Sequence, residues 1–251
     1  MYENLFPYRN NGVNAWVSIM RGCDKFCTFC IVPFTRGRER SRPLDSIVNE
    51  VKKAVDMGFI EITLLGQNVN SFRNDDFKFH DLLEIIAKIT GVERIRYTSP
   101  HPQDIDDDLL KVMRKHKNIC NQIHLPLQAG SDRILKRMNR SHDAESYLSL
   151  VSKIRKARPD ILISGDFIVG FPGEMQQQFD ETIALIDEIG FDTSFSFIYS
   201  ARPGTPAADL LDEVPDTVKK QRLHILQALI AQQAQQIAES MVGTTQRILV
   251  T

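Results

Sequence analysis

Three of the chain's four cysteines stand together. Cys23, Cys27 and Cys30 have C-x3-C-x2-C spacing, and Cys120 lies far downstream. A structural zinc takes four protein ligands, usually as two short pairs or with histidines. Here there is no second cysteine pair, and the nearest histidine in sequence is His80. A simple electron-carrying iron–sulfur centre takes four cysteines per cluster. A [4Fe–4S] cube on three thiolates leaves one iron without a protein ligand. Such an iron can be chelated through an amino and a carboxylate group, so a set of three has a use if a substrate or cofactor fills the fourth place. Cys120 reads as a small buried apolar residue.

Other polar residues in this chain are chemically ambiguous by themselves. Gly66, Gln67 and Asn68 are turn formers. Gln128 and Arg140 belong to types that are usually exposed. Asp166 sits in the apolar stretch ISGDFIVG, where a carboxylate is costly unless paired. Gly170 and Gly173 allow either a tight turn or close backbone approach to a ligand. Arg36, Arg38, Arg40 and Arg42 alternate behind the cysteines and read either as solvated loop residues or as phosphate contacts. His101 and His124 need no ligand role.

These residues are positioned by short apolar runs that alternate with amphipathic segments. Strands are expected at 15–20, 60–66, 94–99, 120–127, 161–170 and 193–200. Helices are expected at 43–58, 79–90, 104–116, 131–139, 143–157 and 176–190. Near-continuous apolar strands separated by helices imply a parallel sheet buried on both faces, doubly wound or barrel-like, with the chemistry in loops after the strand ends. The cysteines occupy such a loop after the first strand. Residues 214–240 read as one long helix closing the domain, and TQRILVT after Gly243 reads as the first strand of a further, truncated domain.

The chain has 251 residues and a net charge of −1, with 42% hydrophobic and 25% charged residues. That composition is ordinary for a soluble globular protein and argues against a strongly basic general nucleic-acid binder. No basic-then-apolar leader and no apolar run of roughly 18 residues is present, so no membrane association and a cytoplasmic location are expected.

The cysteine loop, with Phe29 giving C-x3-C-x-aromatic-C, resembles that of the radical S-adenosylmethionine superfamily. The stretches IMRGCDKFCTFCIVPFTRGRERSR, LLGQNVNS, TSPHPQD, IHLPLQAGSDRILKRMNR, DFIVGFPGE and YSARPGTPA extend the resemblance to its methylthiotransferases, and the first two point to the branch that modifies tRNA. The resemblance implies an α/β fold, a partial (β/α)6 TIM-like barrel of the radical S-adenosylmethionine type with a long C-terminal helix. Its domains would be a linker at 1–14, a catalytic domain at 15–213, the closing helix at 214–240 and the start of a β-rich RNA-binding domain at 241–251. Cys23, Cys27 and Cys30 would hold one [4Fe–4S] cluster, and the fourth iron would bind S-adenosylmethionine. Reductive cleavage of that cofactor yields methionine and a 5′-deoxyadenosyl radical in the superfamily. The cofactor would meet Phe29, Gly66, Gln67, Asn68, Gln128, Arg140, Asp166 and Gly170. Among these, Gly66–Asn68 would take its amino group, Arg140 its carboxylate, Asp166 its ribose and Gly170 its adenine. Where the wider superfamily often has Gly-Gly-Glu this chain has Gly66, Gln67 and Asn68, and Ala129 replaces a usual serine.

For substrate, the same resemblance implies isopentenylated adenosine beside a tRNA anticodon, with Arg36, Arg38, Arg40, Arg42 and Arg202 as candidate tRNA contacts. The electron donor would be a reductant such as flavodoxin or ferredoxin. A second, auxiliary [4Fe–4S] cluster is expected in a longer parent to provide sulfur, and the cysteines left here cannot hold it. Two alternatives remain at this level: the branch that modifies a ribosomal-protein aspartate, and a non-catalytic iron–sulfur or RNA-binding module.

Overall fold

The computed structural model describes residues 12–250, so most of the expected 1–14 linker lies outside the described residues, as does Thr251. Two compact units are present. The first is built mainly on residues 12–24 and 32–121, the second on 25–31 and 122–247. The division falls inside the cysteine loop, with Cys23 in the first unit and Cys27 and Cys30 in the second.

The first unit holds three parallel strands, β1 (Asn14–Ser18), β2 (Glu61–Leu65) and β3 (Arg94–Tyr97), in that order across the sheet. Ala15, Ile62 and Ile95 align in register, as do Val17, Leu64 and Tyr97. All of these but the half-buried Tyr97 are buried, as are Ile47, Val51 and Ala54 of one helix and Leu82, Leu83 and Ile86 of another, and together they make the unit's core. The two helices are α2 (Leu44–Asp56) and α3 (Phe79–Ala87), and α4 (Asp107–Lys115) follows, capped by Asp106. A five-residue helix, α1 (Val32–Arg36), follows the cysteines directly. The sequence pattern missed it because VPFTR is too short for a periodic signal.

The second unit repeats the scheme with β4 (Gln122–His124), β5 (Leu162–Val169) and β6 (Thr193–Ile198), all parallel, β5 central. Its helices are α5 (Asp132–Arg137), α6 (Ala144–Ala157), α7 (Gln176–Ile189) and α8 (Asp216–Ser240). Ile163, Phe167 and Val169 alternate into the core, where the Phe167 ring meets Phe191 edge-on at 5.1 Å. Gly165 is required at its place: a Cβ there would stand 2.9 Å from the Phe191 ring.

All six expected parallel strands form. The expectation that both faces are buried fails at β1 and β6, where burial alternates; Trp16, Phe195 and Phe197 are 56%, 59% and 57% exposed. Strand alternation puts these residues on the face opposite the helix-packed one. The strand expected from Thr245 does not form over 245–250, and Ile248 and Val250 are exposed. Among the described residues no helix is long and apolar enough to cross a membrane.

Candidate cofactor site around the cysteine loop

In the first unit the loop is entered through a glycine that no other residue could replace without displacement. Gly22 has φ +82°, and a Cβ there would lie 2.2 Å from the Arg38 carbonyl oxygen. Its N–H donates to Gln67 Oε1 at 2.7 Å, and the Cys23 N–H donates to the Gly37 carbonyl at 3.2 Å. Asp24 accepts from Arg38 Nε at 2.6 Å and from the Glu39 N–H, while its own N–H donates to Glu39 Oε1. Asn68, 1% exposed, donates to Glu39 Oε1 at 3.2 Å and to Asp104 Oδ2 at 2.8 Å. Gln67 and Asn68 thus spend side-chain groups on organising the loop and its surroundings. Asn68 Oδ1 remains buried without a hydrogen-bond partner, an acceptor for an amino group. Gly66 packs on Met20, whose Cγ a Cβ would meet at 2.7 Å.

In the second unit the rest of the loop is pinned by the segment after α5. The Thr28 N–H donates to Met138 O, and Thr28 Oγ1 to Arg137 O at 2.9 Å. Asn139 Nδ2 donates to Phe26 O, at a residue held at φ +49°. Phe29 packs against a core of Ala129, Ile134, Leu135, Met138, Phe171, Tyr199 and Ala207, which explains an aromatic before Cys30. Cys27 is 9% exposed, and none of the four cysteines is in a disulfide. Arg140 Nη1 donates to Cys27 Sγ at 3.6 Å and Nη2 to the Pro126 carbonyl at 2.7 Å, while its buried Nε has no partner.

Beyond the loop, Gln128 takes a left-handed conformation, φ +75°, and bridges to β5. Its N–H donates to Asp166 O, and its carbonyl accepts from Ile168 N–H. The Asp166 carboxylate is part-exposed and lies 3.3 Å from His124 Nε2. Gly170, φ +68°, donates its N–H to Glu174 Oε2 at 2.7 Å. Glu174 is buried and takes Arg222 Nη1 of α8 on both its carbonyl and its carboxylate, at 2.9 and 2.8 Å. Burial pushes the Glu174 carboxyl up, while Gly170 N–H and Arg222 pull it down. Sequence reasoning did not single out Glu174 or Arg222; their spacing of 48 residues hides the pair.

The arginines divide. Arg42 is 9% exposed and held by Glu50 at 2.7 Å, Ser46 and the Ser18 carbonyl, so as a candidate tRNA contact it is corrected to a residue of the first unit's core. Arg38 is exposed but engaged by Asp24. Arg36, Arg40 and Arg202 are exposed. Cys120 is only half-buried, and its N–H donates to Ile95 O at the edge of β3.

The donor types fit an iron–sulfur cluster: three cysteines outside any disulfide in one loop and, within the second unit, a guanidinium on one of them whose buried Nε has no partner. Among the described residues no three His, Cys, Asp or Glu side chains are drawn into a metal-ligating group. Gathering thiolates is work that a metal ordinarily does on binding.

A profile of the radical SAM superfamily matches residues 17–186. The chain belongs to the radical SAM superfamily. Its similarity to curated members is high: 52% identity over 99% of this chain to the tRNA-2-methylthio-N(6)-dimethylallyladenosine synthase of Cronobacter sakazakii. The proteins of that name from Yersinia pseudotuberculosis and Sodalis glossinidius are 53% and 52% identical over the same share. This radical SAM chain spans 54% of the length of each of these relatives. Among solved structures, the radical S-adenosylmethionine methyltransferase TsrM from Kitasatospora setae, with cobalamin and a [4Fe–4S] cluster bound, aligns over 77% of this chain and 38% of its own, with TM-score 0.64 and 18% identity. Coproporphyrinogen III oxidase from Escherichia coli aligns over 87% of this chain and 52% of its own, with TM-score 0.62 and 18% identity. At such identity the likeness establishes the fold: the α/β fold of radical SAM enzymes, whose family cofactors are a [4Fe–4S] cluster and S-adenosylmethionine.

Proposed function

We propose that this chain is the radical SAM catalytic part of a tRNA methylthiotransferase whose substrate is isopentenylated adenosine next to the anticodon. The observation that carries the reading is identity above half, over nearly the whole chain, to proteins named for that reaction. In this reading residues 15–213 are the catalytic domain, 214–240 its closing helix, and 241–251 lead into a β-rich RNA-binding domain. The partners are tRNA and a reductant of the flavodoxin or ferredoxin kind, and the location is the cytoplasm.

Cys23, Cys27 and Cys30 would hold the cluster, which when bound supplies the electron that cleaves S-adenosylmethionine. The chain's own residues do the positioning. Arg140 presents a guanidinium at the Cys27 sulfur, with Nε still available for a carboxylate. Asn68 Oδ1 and the backbone of Gly66–Asn68 offer acceptors to an ammonium group. Asp166, braced by His124, offers its carboxylate to ribose hydroxyls. Gly170 turns the chain at the end of β5 so that backbone can approach a planar base. Gln128, four residues past the end of β4, pins β5 near that end.

Sulfur would come from an auxiliary cluster in a longer parent, because three of the four cysteines here are committed. The test is mass spectrometry of isopentenylated tRNA after anaerobic incubation with reductant and S-adenosylmethionine. The full-length parent should form the methylthio product catalytically, and this chain should release 5′-deoxyadenosine without forming it. Product on a ribosomal protein instead of tRNA would overturn the reading.

A further inference from the structure

Arg21 and Arg40 stand directly opposite each other. Met20–Arg21 and Arg40–Ser41 form a two-residue antiparallel ribbon in which Arg21 pairs with Arg40 and Met20 with Ser41. Like charges directly opposite on such a ribbon destabilise it, because their Cβ atoms lie about 4.5–5.5 Å apart. Both side chains are exposed, and so is Arg36. Arg21 Nη2 donates to the Arg36 carbonyl at 3.5 Å, which brings the Arg36 backbone up to the Arg21 side chain. Among the described residues no carboxylate pairs with Arg21, Arg36 or Arg40. The carboxylates in this region are taken by the alternate arginines, Asp24 by Arg38 and Glu50 by Arg42.

The ribbon is rigidly based. Met20 is 4% exposed, the Arg42 N–H donates to the Ile19 carbonyl at 2.8 Å, and the buried Arg42 side chain ties the ribbon's far end to α2. Among the described residues, three exposed arginines without a carboxylate partner thus stand near one another, two of them facing each other across the ribbon, and Arg21 lies two residues before Cys23. The arrangement has a use if a polyanion sits between them. Guanidinium forks match phosphate bidentately.

We propose that Arg21, Arg40 and Arg36 form a clamp for the phosphate backbone of the substrate RNA beside the cysteine loop. The proposal deepens the tRNA reading and rests on it. A phosphate clamp holds the backbone and carries no base information, so the isopentenyl group should not matter to it.

The experiment measures binding of an anticodon stem-loop RNA, with and without the isopentenyl group, to the reconstituted chain over a range of salt. The double variant Arg21→Ser, Arg40→Ser should bind about tenfold more weakly at low salt, equally for both RNAs. Its slope of log K against log salt should fall by about 1.5, the value for two lost phosphate contacts. Iron per chain should be unchanged. The melting temperature without RNA should stay level or rise, since repulsion is removed; a structural role for the pair would lower it. Unchanged affinity and slope in the variant, or no salt-dependent binding by the unaltered chain, would overturn the clamp. The tRNA reading is judged separately, by the methylthio product of the full-length parent, and stands if that product forms while the clamp variant binds normally.

Discussion

Arg140 reaches the sulfur of Cys27 across 113 residues of sequence, Nη1 to Sγ at 3.6 Å, while its other terminal nitrogen is anchored on the Pro126 carbonyl at 2.7 Å. A guanidinium so held places a donor on the sulfur and leaves Nε for an anion. Arg140→Ala should therefore weaken S-adenosylmethionine binding by about tenfold or more, as for loss of one charged hydrogen bond. It should also speed loss of iron to a chelator. Arg140→Lys keeps the charge without the planar fork and should restore little. Calorimetry and timed iron release check both; wild-type values in Arg140→Ala would remove the residue from the site.

The cysteine assignment makes a sharper claim about iron alone. Reconstituted chain should bind about four irons, and Ala at Cys23, Cys27 or Cys30 should abolish the cluster's visible absorption. Cys120→Ala should leave it intact, because Cys120 is half-buried at the edge of β3 and outside the loop. A cluster lost with Cys120 and kept without Cys27 would reverse the assignment.

Gly22 links backbone conformation to the site. With φ +82° and the Arg38 carbonyl 2.2 Å from a would-be Cβ, Gly22→Ala meets both strain and a clash with backbone. The expected loss of stability is about 2 kcal/mol or more. Iron uptake should fall with it, since the Gly22 N–H to Gln67 bond and the placement of Cys23 depend on this turn. Gly12→Ala, where no atom lies within 4 Å of a Cβ, is the control and should change neither melting temperature nor iron content.

What could be read in advance follows the range of the interactions. The six strands were legible because each is a local apolar run closed by turn residues, and the cysteine set because its spacing is local. The roles of Gln67 and Arg42 were not, because their partners, Gly22 at 45 residues and Glu50 on the next helix, are set by packing. Arg36, Arg38, Arg40 and Arg42 look alike in sequence, yet Arg42 is buried on Glu50, Arg38 is exposed and paired with Asp24, and among the described residues Arg36 and Arg40 have no carboxylate partner. The exposed rings of Trp16, Phe195 and Phe197 show the same limit from the apolar side: composition marks the strand but not which face is covered. The assignments of Gln128, Asp166 and Gly170 to the cofactor come from motif resemblance, and the structure supplies their backbone and ion-pair partners.

A last prediction concerns His142, next in the chain but one to Arg140. Burial first, and the Arg140 charge second, lower its pKa from 6.5 to about 4. Its ring contacts Tyr147 at 5.6 Å between centroids. The folded chain keeps this imidazole neutral in a pH range where the unfolded chain protonates it. The unfolded state thus binds more protons between pH 6.5 and about 4, so stability falls as pH drops through that window and levels off below it. The full effect is at most about 3 kcal/mol, at 1.36 kcal/mol for each pH unit of the shift. His142→Phe removes the titration while keeping an aromatic body of similar size. Urea unfolding at pH 7 and pH 4.5 should show a smaller acid loss in the variant than in the wild type. Equal losses in the two proteins would mean that His142 is already protonated in the fold, and that the Arg140 side of the loop tolerates a second positive charge.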